Sequence, residues 1–211
     1  MYSNRPNNLL IGFHGCDESI KNKLISEPND IRRSQEKFDW LGHGFYVWEN
    51  NLKRAMQWAK DKQKRGSIDK PAVVGVIFQL EHCFDLTDAS YIELLPKFYE
   101  SMIQDLAIAN KAIPKNKNHE KDKHQDLLIR ELDCAVFEYM HQKIKEQIES
   151  NFNSRGSSEL KSFDTIRGVF TEGGPVYDGA AIQSRTHIQI CIRNLNCIKG
   201  FFQPRELTKF N

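Results

Sequence analysis

The chain has 211 residues, with 30 Lys and Arg against 28 Asp and Glu for a formal net charge of +2. That length suits one domain with its own core rather than two, and the near-balanced charge gives no composition-wide case for nucleic-acid binding. The most apolar stretch, Ala72 to Leu80, already contains Gly75 and Gln79 and is far short of the ~20 apolar residues that span a bilayer. Met1 to Asn8 lacks the charged-then-apolar layout of a signal peptide, so a cytoplasmic protein is expected.

In chain order, Leu9 to Phe13 reads as a short buried strand meeting a turn at His14-Gly15. Asp17 to Ile25 reads as a helix, with Asp17 as N-cap and Ile20, Leu24 and Ile25 as its apolar positions, stopped by Pro28. Leu41 to Asn50 is glycine-rich at first and aromatic after. Asn51 to Lys62 follows as a helix with Leu52, Ala55, Met56 and Ala59 on one stripe. Ala72 to Leu86 is expected as a strand through a buried sheet, and Ser90 to Asn110 as a helix in which Pro96 marks the first turn or a break.

Lys111 to Lys123 is polar and expected to be a mobile excursion. It and Lys60 to Arg65 are locally basic, as solvated element ends or as a phosphate-contacting patch. The longest helical pattern is Asp126 to Glu149, with Leu127, Leu128, Leu132, Ala135, Val136 and Tyr139 on one side. Ser150 to Ser162 has the composition of a flexible linker. Thr165 to Phe202 is strand-rich. Within it, Thr186 to Arg193 alternates, so Ile188, Ile190 and Ile192 face the core while His187, Gln189 and Cys191 share the other face, toward solvent or a cleft. With helices concentrated in the first two-thirds and strands at both ends, the class is α+β. The expected organisation is one domain over 1–211, with a helical insertion at about 90–150 and flexible loops at about 111–125 and 150–162.

Cys16, Cys83, Cys134, Cys191 and Cys197 are odd in number, scattered and never spaced CxxC. That pattern opposes a disulfide framework or a zinc site. No metal is expected, and the thiols are read mainly as small buried hydrophobes.

Three segments carry the chemistry: Phe13-His14-Gly15, Gly42-His43-Gly44-Phe45-Tyr46, and Gln189 through Phe202. None is informative singly, and Gly42-x-Gly44 lacks the strand-before, helix-after context of a dinucleotide-binding turn. Taken in order, they resemble the ADP-ribosyltransferase superfamily, in the branch of diphtheria toxin and the poly-ADP-ribose polymerases. Those proteins read H-G on the first strand, then G-x-G-[IF]-Y-[FV], an acidic residue and a helix. Here Gly42 to Val47, Glu49 and the Asn51 to Lys62 helix answer to that pattern. The polymerases place a catalytic Glu before a Q-I pair and an aromatic. Cys197-Ile198 and Phe201-Phe202 match that end, and the position nine before Ile198 is Gln189.

The resemblance implies split, packed antiparallel sheets with flanking helices, and NAD as co-substrate. His14 would bond the adenosine ribose. Gly15, with no Cβ, would admit the nicotinamide amide to the backbone. Gly44 would belong to the cofactor site, and Tyr46 would stack on the nicotinamide. Trp58 is one residue out of the family's register and is either a second stacking wall or core packing.

Gln189 departs from the family. A neutral amide can orient a ribose hydroxyl but cannot stabilise an oxocarbenium-like charge. Glu172, where the family places its substrate-recognition loop, could supply the missing acid or be a turn residue. Asp178 is the second choice, and Arg167 and Arg185 could meet pyrophosphate or the acceptor. The resemblance therefore implies mono-ADP-ribosyl transfer from NAD to an intracellular protein or nucleic acid. Small members of this fold are often toxins of toxin–antitoxin or phage-defence modules, so an antitoxin protein is a possible partner. NAD hydrolysis and non-catalytic NAD or ADP-ribose binding are the alternatives.

Overall fold

The computed structural model describes residues 9–120 and 122–205. Strand β1 (Leu10–Asp17) runs straight into helix α1 (Glu18–Ser26). Asp17 makes that junction, accepting from Ser19 N at 3.0 Å with one carboxylate oxygen and from Asp69 N and Lys70 N at 3.0 and 2.9 Å with the other. The expected N-cap is therefore present, and it also clips the loop before β3 to the end of β1. After β2 (Phe45–Glu49), Asn51 caps α2 (Leu52–Lys64) by accepting from Arg54 N. Then follow β3 (Pro71–Phe78), β4 (Cys83–Asp85), α3 (Ala89–Ile92), α4 (Leu95–Ile108), β5 (Asn116–Lys117), β6 (Ile129–Arg130) and α5 (Glu131–Arg155). The chain ends in β7 (Thr165–Phe170), β8 (His187–Ile192) and β9 (Ile198–Phe202).

Seven strands form one sheet in the order β4-β7-β8-β2-β1-β3-β9, antiparallel throughout except for β4 beside β7. This is the α+β class read from the sequence, with a mostly antiparallel sheet. The pairing is uneven. β1 and β3 pair over the full length from Leu10↔Phe78 to Asp17↔Pro71, whereas β1 and β2 pair only at Gly12↔Glu49 and Phe13↔Trp48. The sheet thus has a seam between its two halves.

Both sides of the sheet are covered. Phe45, Val47, Val74, Val76, Phe78, Ile190 and Ile192 pack on one side with Leu24 of α1. On the other, α5 supplies Phe137, Met140 and Ile144 against Trp40, Leu41, Ile166, Phe170 and Cys191, and α2 lays Ala55 against Trp48 and Val73. The alternation in β8 is real for Ile190 and Ile192, but Cys191 and His187 are buried as well, because α5 and the loops close over their face.

Several expected boundaries are corrected. Ala72 to Leu86 is not one strand: the chain turns at Glu81, in the left-handed region at φ 49°, and β4 crosses to the far edge of the sheet beside β7. Ser90 to Asn110 divides into α3 and α4, with Pro96 in the first turn of α4. The helix expected from Asp126 starts at Glu131, because Asn116 Oδ1 accepts from Leu132 N and Asp133 N and so caps it from the β5 side. That helix continues to Arg155 and ends on Gly156 at φ 72°, so the first part of the presumed linker at 150–162 is helical. Lys111 to Lys123 is not wholly irregular, since it carries β5 paired with β6; Lys121 lies outside the described residues. On α2 the buried positions are Arg54, Ala55 and Ala59, while Leu52 is exposed. No described helix is long and apolar enough to cross a membrane.

Candidate active site at the sheet seam

The first chemistry-bearing segment lies on β1, the second leads into β2, and the third begins on β8 and ends on β9; β8, β2 and β1 are consecutive neighbours, whereas β9 lies at the sheet edge beyond β3. Where backbone pairing between β1 and β2 stops, the His14 ring takes over: its Nδ1 lies 2.8 Å from the Tyr46 carbonyl oxygen, and the ring stacks on Phe45 at 4.5 Å. A carbonyl only accepts, so Nδ1 carries the proton and Nε2 is left as an acceptor. Burial lowers the His14 pKa to about 4, against the carbonyl bond and helped by the Lys62 charge, so the ring is neutral at physiological pH.

Tyr46 is held by its hydroxyl, which donates to Gly42 O at 2.7 Å and accepts from Leu41 N at 2.9 Å. The turn it grips needs Gly42, whose φ is 77° and whose added Cβ would meet Glu138 Oε1 at 2.6 Å. Glu138 of α5 fixes the turn further, accepting from His43 N at 2.8 Å and pairing with Arg193. Gly44 lies against Cys191 Sγ and the Ile192 carbonyl. The buried cysteines behave as inert thiols: burial pushes Cys16 up to about 11 and Cys134 and Cys197 up to about 12.

Gln189 lies opposite Trp48 of β2 and Gly168 of β7. Its Oε1 accepts from Trp40 Nε1 at 2.6 Å. Arg130 lies over the same Trp40 ring and 4.1 Å from the centre of Phe170. The amide is therefore oriented, with its NH2 as the remaining donor group.

Glu172 is not an open turn residue. It is 7% exposed and pairs with Arg54, itself 6% exposed, through Arg54 Nη2. Arg54 Nε and Nη1, Trp48 Nε1 and His187 Nε2 are buried without a hydrogen-bond partner among the described residues, and an unmet buried donor costs about 1–3 kcal/mol. The rest of the loop, 173–185, folds back on itself through Pro175↔Gln183. It is tied to α2 by Arg185 Nη1 on Asp61 Oδ2 at 3.2 Å and to the 122–126 segment by Gly173 N on Asp126 Oδ2 at 2.8 Å. Arg167 is engaged by Glu49 at 2.6 Å and Asp85 at 3.3 Å. Asp178 is exposed at the loop tip.

Trp58 packs its ring 5.3 Å from that of Trp48, with Lys62 Nζ 4.1 Å from its own centre. The structure thus brings the His14 ring to the Tyr46 backbone on the Phe45 side of the sheet, while the Tyr46 and Gln189 side chains lie on the Trp40 side. It brings Glu172 to Arg54 rather than into contact with Gln189. A surface depression of about 560 Å³ at Ser26–Asp30 contains none of these residues. Among the described residues no group of three or more His, Cys, Asp or Glu side chains could hold a metal ion.

Sequence reasoning placed His187 on the Gln189 face but missed Trp40, Trp48 and Arg54. A signal for Arg54 was present: Arg54, Ala55, Trp58, Ala59 and Lys62 fall at i, i+1, i+4, i+5 and i+8, an alternative stripe one step from the one chosen. Trp40 precedes the glycine motif by two residues and carries no pattern of its own.

The buried histidines make a testable pH signature. His14 and His187 are held to about 4 and His141 to about 3, chiefly by burial. Each is depressed below its unfolded value of 6.5, so the unfolded chain takes up these protons first. Their contribution is complete above that value and is lost as pH falls toward about 4. Urea midpoints should decline through this window, and the His14 and His187 ring signals in NMR should stay those of neutral imidazole down to about pH 5.

Compared with models of protein families, with curated proteins and with solved structures, the chain matches none.

Proposed function

We propose that the chain is a mono-ADP-ribosyltransferase, of split-sheet ADP-ribosyltransferase architecture, that transfers ADP-ribose from NAD to an intracellular protein or nucleic acid with release of nicotinamide. The observation that carries this reading is the adjacency of β8, β2 and β1 at the seam. His14 on β1 and Gln189 on β8, far apart in sequence, flank β2 on its two sides, in the order the resemblance needs. His14 Nε2 is the acceptor for a ribose hydroxyl. In this reading Tyr46 is the residue that stacks on nicotinamide, its ring now packed on the Trp40 and Phe137 side with the hydroxyl held by Gly42 and Leu41. The cytoplasmic toxin role, with a neutralising protein partner, belongs to the same proposal.

One observation favours a second reading. Gln189 Oε1 already accepts from Trp40, which suits a non-catalytic NAD or ADP-ribose binder. Gln189→Glu separates the two. A carboxylate keeps the Trp40 bond and adds the charge that an oxocarbenium-like centre needs, so NAD cleavage should rise by about tenfold or more. NAD labelled in the adenine ring, incubated with cell extract, then shows where ADP-ribose goes. Label in a protein or nucleic-acid fraction that is lost in Tyr46→Ala supports transfer. Free ADP-ribose alone means hydrolysis, and intact NAD with both wild type and Gln189→Glu means a binding protein.

A further inference from the structure

Around Glu172 the chain assembles more cationic and N–H donor capacity than one carboxylate takes up. Arg54, Trp48 and His187 come from α2, β2 and β8, and all are more than nine-tenths buried. They converge: the Arg54 guanidinium carbon is 6.0 Å from the centre of the Trp48 ring system, and the Trp48 and His187 rings are 6.2 Å apart. Glu172 engages only Nη2 of Arg54, leaving Nε, Nη1 and the Trp48 indole N–H with no partner among the described residues. Burial lowers the Arg130 pKa, and the Glu172 charge is among those that oppose that shift. His187 Nδ1 sits 2.6 Å from the Arg185 carbonyl and so carries the ring proton, which makes Nε2 an unused acceptor.

We propose that Arg54, Trp48 and His187 form a phosphoryl-binding subsite whose resident occupant in the free protein is the Glu172 carboxylate. A phosphoryl group presents more oxygens than a carboxylate. Once Glu172 has left, the phosphoryl group can take an edge of the guanidinium that includes Nη2 together with the indole N–H, while a hydroxyl on the phosphate or its sugar donates to His187 Nε2. Entry of the phosphate expels Glu172 and, with it, the start of the 172–185 segment. The inference rests on the NAD reading only for the identity of the natural ligand; the subsite itself is defined by the chain's own side chains.

The test uses inorganic pyrophosphate and ribose 5-phosphate on the full chain, followed by calorimetry and by the Trp48 indole N–H signal in NMR, assigned through Trp48→Phe. Wild type should bind saturably and shift that signal. Arg54→Gln should weaken binding at least tenfold. Glu172→Gln should tighten it by about tenfold, because an internal competitor lowers apparent affinity by the fraction of time it occupies the site. A purely structural ion pair predicts no tightening. Were the Arg54 and Glu172 variants to fail to fold, the wild-type titration and a several-fold weakening in Trp48→Phe decide the matter. An unmoved Trp48 signal, or binding unaffected by Arg54→Gln or Trp48→Phe, overturns the proposal. Nicotinamide release with no Arg54-dependent phosphate binding would sink this inference alone, and the converse would sink only the NAD reading.

Discussion

Glu172→Ala is expected to lower stability by about 3–5 kcal/mol, the cost of leaving a buried charge without its partner. The expectation follows from the burial of both residues and from the two guanidinium nitrogens that have no partner among the described residues. The double replacement Arg54→Met with Glu172→Leu should recover most of the loss, because neither charge of this pair then remains buried. Urea midpoints at unchanged slope measure both. A single variant no less stable than wild type would mean that Glu172 is solvated and the loop open. The result also bears on activity: loss in Glu172→Ala cannot by itself mark a catalytic acid, and the milder Glu172→Gln is the informative change.

Gly15→Ala carries the second large effect. A Cβ there would stand 2.2 Å from the Ala55 carbonyl oxygen, a backbone atom of α2 that no side-chain rotation can move. The helix must shift, at about 1–3 kcal/mol or more, and it carries Arg54, Trp58 and Lys62 with it. Gly200→Ala, which meets nothing within 4 Å, is the control and should be near neutral. A normal melting temperature for Gly15→Ala would show that α2 is not seated against β1 as described. Gly15 was singled out from the sequence for close approach to nicotinamide, and the contact here is with the chain's own helix.

What could be read in advance followed local chemistry. Asp17 as a cap, the Asn51 to Lys62 helix and the alternating Ile190 and Ile192 each depend on neighbours within a few residues. The misses depend on distant partners. Asn116 decides where α5 begins, and nothing near Asp126 reveals it. Ser150 to Arg155 has linker composition but extends a helix already anchored by Met140 and Ile144. At the site, His14 and Tyr46 were legible as motif residues. Their coupling through Nδ1 and a carbonyl was not, because it arises where strand pairing ends. Arg54 and Glu172 are 118 positions apart, and only the fold of the 172–185 segment makes them partners.

Nicotinamide release by the purified protein tests the proposed cleavage of the NAD glycosidic bond most directly. Wild type should release nicotinamide above the spontaneous rate, Gln189→Glu faster and Tyr46→Ala at background. No release from wild type or Gln189→Glu, with both folded and NAD bound, would rule out the transferase and leave a nucleotide-binding protein in its place.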